Sequence, residues 1–258
     1  MILDEIVAAK RAAHAQRAPE DPAAVAAALA ALAPTRPFGA ALRDPARPAP
    51  RVIAEFKRRS PSAGAIRPGA SPAEIAREYE DAGAAALSVL TDEPFFDGAL
   101  AHLRLAKDAC TLPILRKDFL LDARDLTEAR LAGADAVLLI VRLLPPSLLT
   151  SLLAHARSLG LGTLVEAHHD REIETALAAG AEVIGVNHRD LDTLQIDLEL
   201  SARARTLAGP NVIVVAESGI QTRAHVTRMR DCGADAILVG EALMRAPSPG
   251  VALSQLLH

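Results

Sequence analysis

The sequence predicts a single (β/α)8 barrel, and three observations carry that expectation. Four times a helix-like segment closes in Gly-Ala and runs straight into an apolar strand: Gly83-AAALSVL, Gly133-ADAVLLI, Gly180-AEVIGVN and Gly233-ADAILVG. These glycines recur roughly every 50 residues, the length of about two βα units. Between them lies a second set of strands, RVIAEFK, LPILRKD, GTLVEA and NVIVVAES, whose last residues carry charge: Glu55 and Lys57, Lys117, Glu166 and Glu217. The third observation is length: 258 residues is close to the roughly 250 of one such barrel.

From Arg51 onward strands are predicted near 51–56, 85–90, 113–117, 134–140, 162–166, 182–187, 211–216 and 235–239. Helices are predicted near 73–82, 97–108, 123–132, 146–159, 170–179, 197–207, 221–231 and 248–256. Such alternation implies parallel strands joined by right-handed crossovers. An open doubly wound sheet fits it too. Closure is favoured by the two regular strand sets, and by the position of the single G-x-G, Gly160-Leu161-Gly162, which precedes a strand where a dinucleotide fingerprint would follow one.

Residues 1–50 read as a helical extension and 51–258 as the barrel, together one structural domain. Residues 2–16 form an amphipathic pattern with Leu3, Ile6 and Val7 on one face, and Pro22 to Ala33 reads as a second helix. Pro34, Pro37, Pro45, Pro48 and Pro50 then exclude helix interior and central strand. The residues leave open whether this extension covers the barrel floor or its active face.

Composition narrows the function. The chain is 50% hydrophobic, 23% charged and only 2% aromatic, with no Trp, so the core is aliphatic and a stacked-aromatic nucleic-acid platform is not expected. A net charge of −4 argues against a polyanion partner. The longest strongly apolar run, Ala136 to Val141, is far short of the ~20 residues of a membrane span. With Asp4 and Glu5 at the start a secretory leader is not expected either, and the reading is a cytoplasmic protein, a monomer or weak homo-oligomer. Cys110 and Cys232, the two cysteines, read as reduced structural thiols.

The charged strand ends carry the chemistry. Side chains alternate with a period of two, so Ile53, Glu55 and Lys57 share a face, as do Leu115 with Lys117, Leu164 with Glu166 and Val215 with Glu217. Each set places an apolar residue below and a charge at the rim. One reading is a static ion-pair ring that plugs the mouth. The other is catalytic: two lysines sharing a concave site repel, which lowers one lysine's pKa toward a usable general acid, with a neighbouring glutamate as base.

Ser218-Gly219 and Gly240-Glu241 follow the last two strands, each at the entrance to a helix, where backbone N–H groups can hold a phosphate. The loop after the first strand carries Arg58, Arg59 and Arg67 above the lysines, with Gly64 and Gly69 able to let it close over a ligand. Asn187-His188-Arg189 adds a hydrogen-bonding amide and a fork suited to a carboxylate. His168-His169 has no useful metal-ligand spacing, and no H-E-x-x-H or nucleophile elbow occurs. The residues therefore point to metal-free acid–base work on a phosphorylated anionic small molecule.

Those residues lie in ILDEIVAAKR, IAEFKRRSPS, SVLTDEPFFDG, PILRKDFL, GADAVLLIV, LVEAH, IGVNHRDL, VAESGI and LVGEALM, and on these motifs the chain resembles the indole-3-glycerol phosphate synthases nearly end to end. The resemblance implies a carboxy-lyase of tryptophan biosynthesis. Without a cofactor, it would close a ring, decarboxylate and dehydrate 1-(2-carboxyphenylamino)-1-deoxyribulose 5-phosphate. It implies Lys117 as general acid, Glu166 as general base beside Asn187, and a Lys57–Glu55 pair whose lysine meets substrate and assists dehydration. Glu217 and Ser218 would line the site, and Arg189 with Lys57 would take the anthranilate carboxylate. Ser60, Gly219, Gly240 and the Glu241 N–H would hold phosphate, while Phe96, Phe119, Leu138 and Ile140 would form the aryl pocket.

The family pattern also implies that the N-terminal helix leans over the active face. His188 stands where Asn or Ser is more usual, Ala99 replaces a common Ser after FFDG, and Glu241 fills a slot that is Ser in some members. On the residues alone, a sugar-phosphate isomerase, a Schiff-base aldolase using Lys117 and a non-catalytic phosphometabolite binder remain rival readings.

Overall fold

The computed structural model describes residues 2–189 and 196–258. Eight parallel strands close into a barrel: β1 (Arg51–Phe56), β2 (Ala86–Leu90), β3 (Ile114–Lys117), β4 (Ala136–Ile140), β5 (Gly162–Ala167), β6 (Val183–Asn187), β7 (Ile213–Glu217) and β8 (Ala236–Val239). Each pairs with its sequence neighbours, and β8 returns to β1 through Arg51↔Ala236 to Ala54↔Val239. The open-sheet alternative is thereby excluded.

Helices cover the outside: α4 (Pro72–Asp81), α6 (Ala101–Ala109), α7 (Ala123–Leu131), α8 (Pro146–Ser158), α9 (Asp170–Ala178), α10 (Leu200–Ala208), α11 (Arg223–Asp231) and α13 (Pro249–Leu257). Their ends follow local chemistry. Ser71 accepts the Glu74 N–H and Pro72 opens α4, while Asp122 and Asp125 form a reciprocal capping box on α7. The four repeated glycines all have positive φ, from 79° at Gly233 to 99° at Gly133, which is the left-handed helix stop that a residue with a Cβ resists. That turn explains the Gly-Ala repeat.

Four short helices depart from the sequence expectation. The helix predicted at 97–108 begins only at Ala101, and an additional helix, α5 (Glu93–Phe96), precedes it and is stopped by Asp97, which turns left-handed at φ 52°. Helix α12 (Glu241–Arg245) follows β8, a 3-10 turn (Val141–Leu143) follows β4, and α3 (Phe38–Ala41) interrupts the proline-rich stretch. None is long enough to leave a period in the sequence. The other predicted elements occur within a few residues of their expected bounds, including α1 (Ile2–Ala15) and α2 (Pro22–Ala30).

Two apolar clusters result. The larger lies between barrel and helices; the smaller fills the barrel interior with Ile53, Leu115, Leu138, Leu164, Val215 and Leu238 among others. The alternation predicted from the strand ends is therefore the one observed. Phe38 and Leu42 belong to the inner cluster, so α3 plugs the floor.

Helix α1 lies at the opposite end. Lys10 pairs with Asp92 (3.2 Å) and Asp118 (2.6 Å), and His14 lies 3.1 Å from Asp122 and 3.0 Å from Asp125. Both readings of the extension are met, by different parts of it. Cys110 and Cys232 are free thiols at helix C-termini, and among the described residues no helix is long and apolar enough to cross a membrane.

Candidate active site

The C-terminal strand ends surround a cavity of about 500 Å³, and every site residue implied by the family resemblance lines it. Its composition follows the circuit of the barrel. Adjacent strands β7, β8 and β1 contribute Ser218, Gly219, Gly240, Glu241 and Ser60, whereas the arc from β2 to β4 contributes Phe96, Phe119, Leu138 and Ile140. Phe96 and Phe119 lie 6.0 Å apart, centroid to centroid, with their rings tilted by 40°. One side is polar backbone, the other an apolar wall.

Charge spans the space between them. Lys117 on β3 reaches across the barrel, its Nζ 2.7 Å from Glu166 Oε2 on β5 and 2.8 Å from Glu217 Oε2 on β7. Asn187 Nδ2 donates to Glu166 Oε1 at 3.2 Å. On the other side Lys57 Nζ lies 2.7 Å from Glu55 Oε1, and Ser88 Oγ donates to Glu55 Oε2 at 3.4 Å. All three glutamates are buried, yet the cavity reaches them.

This pairing corrects one expectation. The Lys117 ammonium is not pushed down by a second lysine, because each lysine is matched to carboxylates of its own. Burial opposes the Lys117 charge, but Glu166, Glu217 and more distant Glu55 outweigh it and hold the ammonium well above the ordinary lysine range. Burial likewise opposes ionisation of Glu166, yet Lys117 and His168 hold its carboxyl below the usual range. Glu217 moves the other way: burial, with the charges of Glu166 and Glu55, pushes it up to about 7 against the pull of Lys117. Two carboxylates around one ammonium are thus driven apart, a pattern that separates acid from base roles.

Glu217 has a further peculiarity. Its Oε1 is buried and has no hydrogen-bond partner among the described residues. It lies over the inward face of β6 at Gly185, where an added Cβ would come within 2.1 Å of that oxygen. Parity placed Gly185 on the same face as Asn187, so a glycine at an inward rim position was the available sign that a side chain crosses there.

The last loops differ in part from expectation. Gly240 directly precedes α12, but Ser218 and Gly219 stand before a connector, and α11 starts only at Arg223, capped by Thr222. Both adopt positive φ, 67° and 76°, so their N–H groups are presented by a left-handed turn and not by a helix end. His188 supports that turn: its Nδ1 lies 3.0 Å from the Ser218 carbonyl and its Nε2 2.7 Å from Ser201 Oγ. A carbonyl only accepts, so Nδ1 carries the hydrogen; burial holds the ring below the ordinary histidine pKa and neutral.

The loop arginines do not reach the cavity. Arg58 donates to the Ala70 carbonyl, Arg59 to those of Pro94 and Phe95, and Arg67 to those of Met244, Ala246 and Pro247. They fasten the loop to its neighbours, and Arg189 is the arginine that lines the cavity. In IGVNHRDL the last two residues lie outside the described ones.

Ile2, Leu3 and Ile6 of α1 close over the mouth, as the family pattern implies for the N-terminal helix. Sequence reading missed one further group: His168 sits buried behind Glu166. His169 caps α9. His14, Asp122 and Asp125 also bring ligand atoms within 4.8 Å of one another; Arg17 pairs with both carboxylates and offsets part of their charge.

A model of the indole-3-glycerol phosphate synthase family matches residues 3–256. The chain is 50% identical to indole-3-glycerol phosphate synthase 2 of Streptomyces coelicolor over 223 residues, covering 86% of this chain and 85% of that protein. It is 45% identical to the Burkholderia vietnamiensis indole-3-glycerol phosphate synthase over 256 residues, covering 99% and 98%. Among solved structures it is similar to thiamine phosphate pyrophosphorylase from Pyrococcus furiosus, with TM-score 0.60, 20% identity and coverage of 80% of this chain and 93% of that one. It is also similar to the N-acetylmannosamine-6-phosphate 2-epimerase from Clostridium perfringens, with TM-score 0.59, 16% identity and coverage of 74% and 86%. At such identities these two likenesses speak to the fold alone.

Proposed function

The chain belongs to the indole-3-glycerol phosphate synthase family, and on that premise we propose how its residues divide the work of that synthase. It is a carboxy-lyase of tryptophan biosynthesis acting on a phosphorylated small molecule. The observation that carries the division is Lys117, held between Glu166 and Glu217 at 2.7 and 2.8 Å inside the cavity.

The substrate, 1-(2-carboxyphenylamino)-1-deoxyribulose 5-phosphate, lies with its phosphate against Ser60, Gly219, Gly240 and the Glu241 N–H, and its aryl ring against Phe96, Phe119, Leu138 and Ile140. Lys57 and Arg189 take the carboxylate. The ring carbon bearing that carboxylate attacks the ribulose carbonyl, whose oxygen becomes strongly basic as the C–C bond forms. Lys117 protonates it. A high ammonium pKa is no obstacle here, because the acceptor becomes an alkoxide and the donor is loaded at any working pH. The C–CO2 bond then breaks and returns its electron pair to the ring, a step that a dry apolar wall favours because charge is lost.

Dehydration completes the indole. The hydroxyl leaves as water with a proton assisted by Lys57, while Glu166, steadied by Asn187, removes a proton from the adjacent methylene carbon. Each such transfer is commonly worth roughly 10²–10⁴ in rate. Glu55 keeps Lys57 in place, and Glu217 and Ser218 line the site. We further propose residues 1–50 as an extension of the one domain, a cytoplasmic location, and a monomer or weak homo-oligomer.

The test is to incubate purified protein with this substrate, following indole fluorescence and CO2. Both are expected in equal amounts. An isomerase would give neither, and a borohydride-trapped adduct on Lys117 would replace the acid role by Schiff-base chemistry.

A further inference from the structure

Behind the base lies a buried cluster that the reaction as drawn leaves unused. His168, two residues beyond Glu166 in the chain, is buried. Its Nε2 is 3.3 Å from Glu166 Oε1, an ion-pair contact without hydrogen-bond alignment, and its Nδ1 is 3.3 Å from Glu172 Oε2. The His168 backbone N–H donates to the same Glu172 oxygen at 2.7 Å. Glu172, in the first turn of α9, is held in turn by Arg142 Nε at 3.4 Å and His169 Nε2 at 3.2 Å. His168 does not line the cavity.

We propose that His168 is a positioning residue for Glu166, fixing one oxygen of the base while the other faces the ligand. The inference rests on Glu166 being the base. Its physical ground is the order of contacts: Oε2 is held by Lys117, and Oε1 by Asn187 and His168. When Lys117 turns to the substrate oxygen, Oε2 loses its partner. What then keeps the carboxylate in place and ionised is the Oε1 side, anchored through Glu172 to α9. A reacting group stays in productive geometry only where its neighbours are themselves locked.

The charges around the pair fit this role. Glu166 is faced by Lys117 from β3, Asn187 from β6 and Glu217 from β7, with Glu55 of β1 further off; His168 is faced by Glu166 and Glu172. Burial lowers the imidazole pKa, but the two carboxylates outweigh it and raise it to about 9. The cation at Oε1 therefore remains when the Lys117 charge is drawn away. A purely structural histidine, clasping β5 to α9, would support stability alone.

The experiment compares kcat, KM and the pH profile of kcat/KM for the wild type, His168→Ala, His168→Gln and Glu166→Gln, with Tm measured alongside. His168→Ala is expected to lower kcat about tenfold, a part of the roughly 10²–10⁴ that a general base supplies, with KM little changed. It is expected to move the acid limb of kcat/KM to higher pH, because the carboxylate loses a cation. His168→Gln, which offers a hydrogen bond without charge, is expected to recover much of kcat while leaving the limb shifted; it also serves as the test if the alanine variant fails to fold. Wild-type kcat and an unmoved acid limb in the glutamine variant, whatever its Tm, would overturn the inference. Wild-type turnover in Glu166→Gln would instead remove the base on which it rests.

Discussion

The two ends of this barrel carry buried or half-buried carboxylates and use them in opposite ways. At the floor, Asp135 accepts the Arg36 N–H at 2.6 Å and the Ile114 N–H at 2.9 Å and pairs with Lys107. Asp235, at the matching place in the Gly-Ala-Asp repeat, accepts the Val214 N–H at 2.9 Å and pairs with Arg205. Their donors are backbone groups and tethered cations. At the mouth, Glu166 and Glu217 share one lysine and face a cavity, and Glu217 keeps an oxygen without a hydrogen bond among the described residues. A carboxylate that serves stability is enclosed by donors that stay put, whereas one that serves chemistry faces space for a ligand.

Gly185→Ala is expected to break the mouth most selectively. The new Cβ would overlap the Glu217 carboxyl at 2.1 Å and press on Leu164 at 3.2 Å, so Glu217 must move and Lys117 with it. A displacement of ~1 Å costs about 10²-fold in kcat, with Tm falling far less than activity. Steady-state kinetics beside a melting curve checks this, and equal losses in both would erase the distinction between the two ends.

The reciprocal change is Asp135→Ala. It leaves the Ile114 N–H unpaired in the core and Lys107 without its partner. Leaving a buried donor unsatisfied costs about 1–3 kcal/mol, so denaturant unfolding is expected to show reduced stability while kcat of the folded fraction stays unchanged.

The smallest expected effect concerns pH. The pKa of His168 is raised from 6.5 to about 9 in the folded protein, so its contribution to stability is fully present below pH 6.5 and is lost as pH rises toward 9. The wild type is expected to lose stability across that window relative to His168→Gln. Parallel stability curves for the two proteins would assign the loss to other groups.

Much of this contrast is legible in the sequence, and the limits have physical causes. Side-chain parity along each strand is local, so Ile53 below Glu55 and Leu164 below Glu166 follow from the pleat alone. The Gly-Ala repeat marks helix stops because a positive φ selects glycine. Which carboxylate meets which lysine is not local: Lys117 reaches Glu217 through the closure and stagger of the whole barrel, and the direction of its pKa depends on that reach. The role of Phe38 in the floor is hidden in a proline-rich stretch, and that of Ile6 over the mouth follows from the family pattern and not from the residues, since one amphipathic helix does not state which end it covers. His168 reads only for its metal-ligand spacing, and its contact with Glu172 in the next helix goes unseen.

The most direct test sets one lysine from each end against the other. Lys117→Ala and Lys107→Ala each take an ammonium from a buried carboxylate, and each is assayed for turnover by indole fluorescence at saturating substrate, with Tm alongside. Lys117→Ala is expected to lose kcat by roughly 10²–10⁴ while still binding substrate, and Lys107→Ala to lower Tm with kcat intact. Wild-type turnover by Lys117→Ala would contradict the account.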